Sequence, residues 1–372
     1  MSVTAARLAA QLLSRPTGAT IPQIVHHFGA IQAQDLPHAG WAVALRRLDP
    51  GHESDLREAL TDGTIVRTWS LRGTLHLLPA ADVTWMRHLS GPAALRGMTP
   101  KVWNYHATTR EMADRAAAIC EAELSGGRAL ARRDLIDRFA ASGIPNDRRQ
   151  SYFLFTFLAH HGLICPGPYL GKDQAFVLAG DWLPDQRQLD DDEALAELAR
   201  RYLTGHGPAT VHDFAKWSGQ SVTAATAAVN AIAGDLAQEE DDGRILYSQQ
   251  LTSIPDPAEV LLLPGYDEYV LGYADRTQML PSASTIKIAT DNGMFHALII
   301  ERGVVVGTWS KTVTNRQVRI VLRTVASPDD LALNQASSRL ARFHGKPSHV
   351  VRRESPDLPG QPTTSGDGSS CT

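Results

Sequence analysis

Two glutamines lie two positions apart in a segment that the sequence pattern places between two helices. Gln32 and Gln34 belong to residues 29–38. In an extended or turn segment, side chains at i and i+2 can face the same side. Their two amide carbonyls could then accept hydrogen bonds from one water molecule. On spacing alone, the triplet is more typical of an ordinary structural turn.

Other patterns associated with catalysis are missing from the sequence. It contains no Walker A loop, no GxGxxG after a strand, no GxSxG elbow and no HExxH. The adjacent histidines at 26–27 and at 160–161 point about 100° apart on a helix, so neither pair chelates one metal. Cys120, Cys165 and Cys371 are far apart and odd in number, which is typical of a reducing cytoplasm. We therefore expect no metal and no cofactor.

A helix-turn-helix pattern occurs three times along the chain, and the third copy is the clearest. Thr210 and Asp213 have the spacing of a capping box, and Gly219 ends the helix. Ser221 or Thr223 can begin the next helix, which we expect to extend to about residue 232. A short helix, a glycine turn and a second helix form a helix-turn-helix unit.

The first two copies are each followed by a predicted hairpin. In the first, Thr20 and Gln23 cap a helix that ends at Gly29, and a helix over 37–47 follows. Strands are predicted there over 65–69 and 74–78. In the second, a helix from about residue 131 precedes a turn at 143–145, a helix over 148–161 and strands over 163–165 and 175–178. Helix-turn-helix with a hairpin is a winged helix, which binds DNA or proteins; the repetition favours DNA.

The charge distribution is compatible with this interpretation. The net charge is −4, but residues 311–323 carry four basic residues and no acid, and residues 339–353 carry five and no acid. Lys311 and Arg316 are therefore candidates for phosphate contacts. Residues 181–197 and 239–242 are acidic. Solvated surface explains such runs equally well.

The predicted fold class is α+β, with tandem winged-helix units and a β-rich C-terminal part. We predict the first unit at residues 1–110, the second at 111–190, the third with the β-rich part at 191–353, and a disordered tail at 354–372. In the C-terminal part, the pattern predicts strands over 245–247, 260–263, 295–300 and 304–309, a turn at 301–303 and a helix over 329–343. The absence of a long apolar run and of a signal-like N-terminus favours a soluble cytoplasmic protein.

Three stretches together resemble the AlkZ family of winged-helix DNA glycosylases: residues 31–34, 66–76 and 263–276. The similarity extends over nearly the whole chain up to the tail. The resemblance implies three winged-helix units in a concave arrangement around double-stranded DNA. It also implies excision of N7-alkylated purines, including bulky adducts and interstrand crosslinks made by natural-product genotoxins. In that family the Gln-x-Gln motif carries catalysis, and it matches Gln32 and Gln34, in the branch associated with antibiotic self-resistance.

The chemistry of such a motif is consistent with cationic substrates. An amide is a very poor base, but an N7-alkylated purine is already a good leaving group, and the sugar becomes oxocarbenium-like. The enzyme then needs mainly to position a water and stabilise developing charge. Because we see no lysine nucleophile near the motif, we expect a monofunctional enzyme. A crosslinked base needs an open cleft rather than a snug pocket for a flipped base.

Further residues in the matching stretches are candidates for DNA contact or for the cleft. Arg67, Arg72 and Thr74 are predicted to bind DNA, and His76 could face DNA or the core. Asp267 could steer water or stabilise a cation, or it could fix a turn. Trp69 and Leu75 fit the hairpin core better.

Two other functions remain open on the sequence alone. A transcription regulator without catalytic activity would bind one operator sequence as a dimer, whereas a glycosylase would act at lesions in any sequence. A degenerate family member would serve only as a scaffold. Tandem units in one chain favour a monomer.

Overall fold

The computed structural model describes residues 2–183, 185–249, 256, 260–280, 286–290, 293–325 and 328–354. The chain divides into two compact units. The first unit comprises Met1–Pro257 and Tyr266–Arg276, and the second comprises Ala258–Gly265 and Thr277–Thr372. No helix within the described residues has the length and apolar content that crossing a bilayer requires.

The first unit is mainly helical, with eight strands among its described residues. Its helices are α1 (Val3–Ala10), α2 (Ile21–Phe28), α3 (Leu36–Leu45), α4 (Glu53–Thr61), α5 (Val83–Gly97), α6 (Pro100–Tyr105), α7 (Arg110–Leu124), α8 (Arg132–Ala141), α9 (Arg148–His160), α10 (Ala179–Trp182), α11 (Asp191–His206), α12 (Val211–Ser218), α13 (Val222–Ala231) and α14 (Glu268–Leu271). Its strands are β1 (Ile31–Gln32), β2 (Ile65–Trp69), β3 (Leu75–Pro79), β4 (Leu130–Ala131), β5 (Ile164–Leu170), β6 (Asp173–Leu178), β7 (Ala237–Asp241) and β8 (Arg244–Ser248).

The three predicted helix pairs are confirmed as α2–α3, α8–α9 and α12–α13. Thr20 and Gln23 form the expected capping box at the start of α2. Thr210 and Asp213 form another at the start of α12, which ends at Gly219 with φ +77°. Local hydrogen bonding of these side chains satisfies backbone N–H groups that a helix start leaves unpaired, so the helix bounds are readable from sequence.

A small antiparallel sheet in the order β1-β3-β2 carries the Gln-x-Gln segment. Gln32 pairs with His76, and His76 pairs with Thr68. Directly opposed residues in antiparallel strands point to the same face. The predicted hairpin over β2 and β3 is confirmed, and the sequence pattern did not show that the motif joins its edge as a third strand.

Each of the other helix pairs is also followed by a hairpin. The predicted strands after α9 are confirmed as the longer β5 and β6, with β4 completing a sheet in the order β4-β6-β5. The third hairpin, β7–β8, was not predicted as such. Its turn places Asp242 and Gly243 at φ +51° and +72°, the left-handed pair that suits a two-residue hairpin loop. The acidic run 239–242 thus belongs to a strand and its turn, which its charge alone does not indicate.

Residues 110 and 190, where we predict domain boundaries, both lie inside the first compact unit. Helix α11, which packs against α13 of the third pair, also packs on α2 of the first pair: the rings of Phe28 and His206 are 5.4 Å apart. A Cβ added at Gly205 would lie 3.1 Å from Phe28 Cδ1, so the two helices approach closely there. Residues 191–353 contribute to both compact units.

The described residues of the second unit form a five-stranded sheet and one long helix. Its elements are β9 (Val260–Leu263), β10 (Leu298–Glu301), β11 (Val304–Val313), β12 (Val318–Thr324), α15 (Asp330–Phe343) and β13 (Ser348–Glu354). The strand order is β13-β12-β11-β10-β9, with β12 and β13 parallel. The expected turn at 301–303 and helix at 329–343 are confirmed, whereas β12 and β13 were missed because they coincide with the basic runs. Of the predicted tail, Glu354 ends β13, and residues 355–372 lie outside the described residues.

Candidate active site

The backbone of the Gln-x-Gln segment is held at every residue. Gln32 N–H donates to Oε1 of Glu268 at 2.8 Å. Ala33 N–H donates to the Leu75 carbonyl at 2.8 Å, and Gln34 N–H donates to Oε1 of Gln32 at 2.8 Å. A segment whose donors are all satisfied by fixed partners is preorganised, as a catalytic constellation requires.

Arg67 holds the same segment through its carbonyl groups. Its Nε donates to the Ala33 carbonyl at 2.9 Å, and its Nη2 donates to the Gln34 carbonyl at 3.2 Å. The side chain lies on β2 and is half-buried, and burial lowers its pKa below the ordinary arginine value. Arg67 was predicted to contact DNA; the structure places two of its donors on the motif itself.

The two glutamine amides occupy different environments. Gln32 is 7% exposed, and its carbonyl oxygen already accepts the Gln34 N–H. Gln34 is exposed, and its Oε1 accepts the Leu75 N–H at 3.3 Å. Each amide oxygen therefore already accepts one backbone N–H, and a water shared between them stays a prediction. Gln34 is the member of the pair that faces open space.

Gln34 lines a cleft of about 1010 Å³. Five arginines contribute to its wall: Arg67, Arg132, Arg133, Arg148 and Arg149. Two acids, Asp137 and Asp173, also line it. Four of the five arginines belong to α8 and α9, the second helix pair, and none of those four was singled out from the sequence. A signal was present, because Arg132–Arg133 and Arg148–Arg149 each stand at the beginning of a predicted helix.

Aromatic side chains form another part of the cleft wall. Trp69 Nε1 donates to the Tyr152 hydroxyl at 3.3 Å, and the two rings meet edge to face at 5.9 Å. Trp69 and Leu75 are buried in the core beneath the hairpin, as predicted, while one edge of each reaches the cleft. The cleft thus combines a cationic wall with an apolar one.

His76 lies on β3, and it is completely buried, with 0% of its surface exposed. Its Nδ1 is 3.0 Å from the Thr74 carbonyl, and its Nε2 has no hydrogen-bond partner among the described residues. Burial, together with the positive charge of Arg72, lowers the pKa of His76 to about 4. The histidine is consequently neutral near pH 7, and its position does not support the cleft or DNA contact suggested for it.

A buried carboxylate that the sequence interpretation passed over lies directly behind the motif. Besides the Gln32 N–H, Glu268 accepts a hydrogen bond from Trp217 Nε1 at 2.9 Å and lies 3.3 Å from His206 Nε2. Burial by itself would raise the pKa of Glu268, but the hydrogen bond and charge of His206 and the Gln32 N–H lower it to about 2. The side chain is therefore an anion.

The neighbouring acid, Asp267, is occupied elsewhere. Both of its carboxylate oxygens accept from Arg46, each at 2.9 Å, and the residue is 1% exposed. It also caps α14 by accepting the Tyr269 N–H at 2.9 Å. With its carboxylate committed to a bidentate ion pair, Asp267 serves the fold, and the suggested role in steering water is not supported.

The tip of the first hairpin borders a second cavity of about 430 Å³. Arg72 lies there with an exposed side chain and φ +55°. The Thr74 hydroxyl donates to the Leu71 carbonyl at 3.2 Å and so closes the tip. Helix α9 borders both spaces: Tyr152 lines the cleft, and Thr156, one turn later, lines the second cavity.

Two predicted DNA contacts belong to the second unit. Lys311 is half-buried on β11, with Nζ 2.9 Å from His344 Nε2. Arg316 is exposed on the turn between β11 and β12. The described residues contain no group of three or more histidine, cysteine, aspartate or glutamate side chains that could hold a metal ion.

Comparison with known proteins gives three consistent findings. Residues 25–343 match the family model described as DNA glycosylase AlkZ-like. The chain is 26% identical over 338 residues to a Streptomyces sahachiroi protein named interstrand DNA cross-link repair glycosylase, covering 82% of this chain and 86% of that protein. The solved structure of the Streptomyces sahachiroi DNA glycosylase AlkZ superposes with a TM-score of 0.76 at 23% identity, covering 94% of this chain and 98% of that one.

Proposed function

The chain belongs to the AlkZ-like DNA glycosylase family, and from this premise we propose that it hydrolyses the N-glycosidic bond of N7-alkylated purines in double-stranded DNA. The observation that carries the proposal is the position of Gln34, held rigidly in the wall of an arginine-lined cleft. Arginines attract the phosphate backbone of any DNA sequence. The same cleft therefore offers both a surface for DNA and a motif for the reaction.

The proposed reaction depends on the positive charge of the damaged base. As the glycosidic bond lengthens, the purine leaves as a neutral molecule and the sugar carries the positive charge. Gln34 places its amide beside the sugar and the attacking water, while Gln32 fixes Gln34 through the 2.8 Å bond to its N–H. Neutral amides can orient this water without acting as a base. When the water oxygen bonds to the cationic sugar, the excess proton passes to solvent. Neutral bases such as uracil lack the built-in leaving group and should resist.

The proposed substrates include bulky adducts and interstrand crosslinks. At about 1010 Å³, the cleft is as large as the upper range of sites for drug-sized ligands, about 1,000 Å³. The relative named as an interstrand cross-link repair glycosylase supports the same size class. We assign the source of these lesions to natural-product genotoxins against which the producing cell protects itself.

The proposed DNA contacts extend beyond the cleft arginines. Arg72 and Thr74 at the hairpin tip and Lys311 and Arg316 in the second unit remain proposed contacts. The three helix pairs with their hairpins act as winged-helix units arranged concavely around DNA. Since one chain supplies all three pairs, the proposed enzyme works as a monomer. It is also monofunctional, because no lysine lies within residues 29–38 to form a Schiff base.

Release of 7-methylguanine from alkylated duplex DNA tests the proposal. We expect wild type to release the base and the Gln32→Ala, Gln34→Ala double variant to lose at least about 100-fold in rate, comparable to removal of one group that stabilises a transition state. DNA affinity of the variant is the control. If wild type releases neither 7-methylguanine nor a bulky N7 adduct, yet prefers one DNA sequence, the alternative of a transcription regulator is correct.

A further inference from the structure

We propose that Glu268 is the positioning residue of the Gln-x-Gln segment: its buried carboxylate anchors Gln32 and thereby sets where Gln34 stands in the cleft. This inference rests on the proposed function. Glu268 lies 236 positions from Gln32 in the chain. It is connected to the proposed reaction through the backbone N–H of Gln32, from which it accepts a hydrogen bond.

The contacts form a continuous series from the fold to the cleft. Glu268 accepts the Gln32 N–H at 2.8 Å, Gln32 accepts the Gln34 N–H at 2.8 Å, and Gln34 accepts the Leu75 N–H at 3.3 Å. Because β1 is an edge strand of two residues paired only with β3, its outer side has no neighbouring strand to fix it. Glu268 fulfils that task at the Gln32 N–H.

The carboxylate is itself held by residues of α11 and α12. Trp217 of α12 donates to Oε2 at 2.9 Å, and His206 of α11 lies 3.3 Å from the same oxygen. Oε1 is left for the Gln32 N–H. An indole N–H and a peptide N–H can only donate, so both contacts require a group with an acceptor at each end. A carboxylate meets this requirement, and an amide of the same shape does not.

This asymmetry provides a sharp test. In Glu268→Gln, the introduced amide can accept from Gln32 or from Trp217, but its NH₂ then faces the other donor. In the double variant with Trp217→Phe, the conflicting donor is gone, and the introduced oxygen is free to accept from Gln32. The NH₂ group then no longer meets the indole N–H of Trp217.

Single-turnover release of 7-methylguanine at saturating enzyme is measured for the full chain and three variants. We expect Glu268→Gln to be slower by about tenfold to 100-fold, the scale of a small misplacement of catalytic groups. Trp217→Phe removes one contact on Oε2 but leaves the acceptor for the Gln32 N–H, so we expect it to be slower than wild type by about threefold. The double variant should be at least about threefold faster than Glu268→Gln. Affinity for undamaged duplex should stay within about twofold throughout, because Glu268 contacts no part of the cleft surface.

The proposal is overturned if folded Glu268→Gln retains the wild-type rate, or if the folded double variant is as slow as Glu268→Gln. If Glu268→Gln does not fold, the rate of base release by the double variant is compared with that of Trp217→Phe. A similar rate supports the proposal, whereas a double variant that folds but releases no base overturns it. Should wild type release neither 7-methylguanine nor a bulky N7 adduct, the proposed function fails by itself. Hydrogen exchange over residues 30–36 then tests the anchor: faster exchange in Glu268→Gln supports it, and equal exchange overturns it.

Discussion

The first hairpin, β2–β3, and the third hairpin, β7–β8, have the same antiparallel topology but differ in burial and in charge. In β2–β3, nine of ten residues are buried and only Arg67 is half-exposed. In β7–β8, Leu246 is the one buried residue, and Glu239 and Glu240 are exposed. Both follow a helix pair and both would be described as a wing.

The difference shows that a wing-like element does not by itself indicate a DNA contact. The first hairpin is a scaffold: its strands pair with the Gln-x-Gln edge strand and hold it through Arg67 and Leu75. The third presents carboxylates, which repel phosphate. Between them, the second helix pair supplies the cationic wall of the cleft. Substitutions can therefore distinguish residues that hold the Gln-x-Gln segment from residues that attract DNA.

The largest effect is expected at Arg67. Arg67→Ala removes both donors from the Ala33 and Gln34 carbonyls, and we expect base release to fall by about 100-fold. Arg67→Lys keeps the positive charge but lacks the planar group that donates to two carbonyls at once. We therefore expect it to be faster than Arg67→Ala and slower than wild type. If Lys restores full activity, the guanidinium acts as a charge for DNA rather than as a clamp. Single-turnover release at saturating enzyme separates the two roles.

The cleft arginines should control affinity rather than the chemical step. In the double variant Arg148→Gln, Arg149→Gln, the logarithm of DNA affinity should depend less steeply on the logarithm of salt concentration than in wild type. The magnitude of the slope should fall by about 0.9 for each phosphate that the protein no longer neutralises. Arg138→Gln is the matched control, since Arg138 is an exposed arginine of α8 that is paired with Glu123 and does not line the cleft. Equal slopes for all three proteins would contradict a DNA surface at this wall.

Acid should destabilise the folded protein through His76 of the first hairpin. His76 has a pKa of about 4 against an ordinary value of 6.5, so it is neutral when folded and protonated when unfolded between these values. The unfolded state then binds more protons, and the free energy of unfolding falls as pH drops through this window, by up to about 1.4 kcal/mol per pH unit. Urea unfolding across this range should show a shallower dependence in His76→Asn. An unchanged slope in that variant would mean that His76 is charged in the folded protein.

The smallest effect is expected at the acidic hairpin. Glu239→Gln with Glu240→Gln removes two exposed carboxylates, and we expect affinity for undamaged duplex to rise by about twofold or less at low salt. Base release at saturating enzyme should be unchanged. A decrease in affinity would show that this hairpin binds DNA through these side chains, which would remove the contrast with the first hairpin.

Local patterns predicted the local structure well. Capping residues such as Thr20 and Thr210 and turn glycines such as Gly219 act through neighbours within a few positions, so their helices were readable. The strands β12 and β13 were missed, because their segments were interpreted only as basic runs, although Val318 and Ile320 form an apolar face along β12. Which helices share a core depends on contacts such as Phe28 with His206, which no local pattern encodes.

The site was predicted in part for the same reason. The resemblance indicated Gln32 and Gln34, and the structure shows how they are held. Between two adjacent acids, sequence reasoning chose Asp267, although Glu268 is the one that contacts the motif. Their partners, Arg46 for one and Trp217 for the other, are distant in sequence, so residue type and spacing could not distinguish them.

The turn of the third helix pair touches the tip of the first hairpin at Gly219. A Cβ there would lie 3.1 Å from Cγ of Arg72, at a φ of +77° that side chains rarely adopt. The permitted residue at one position therefore depends on the residue present at the other, although 147 positions separate them (219 − 72). In the history of such a chain, replacement of the glycine would be strained by the backbone alone and strained further while the arginine side chain is present, so the order of the two substitutions would change the stability of the intermediate.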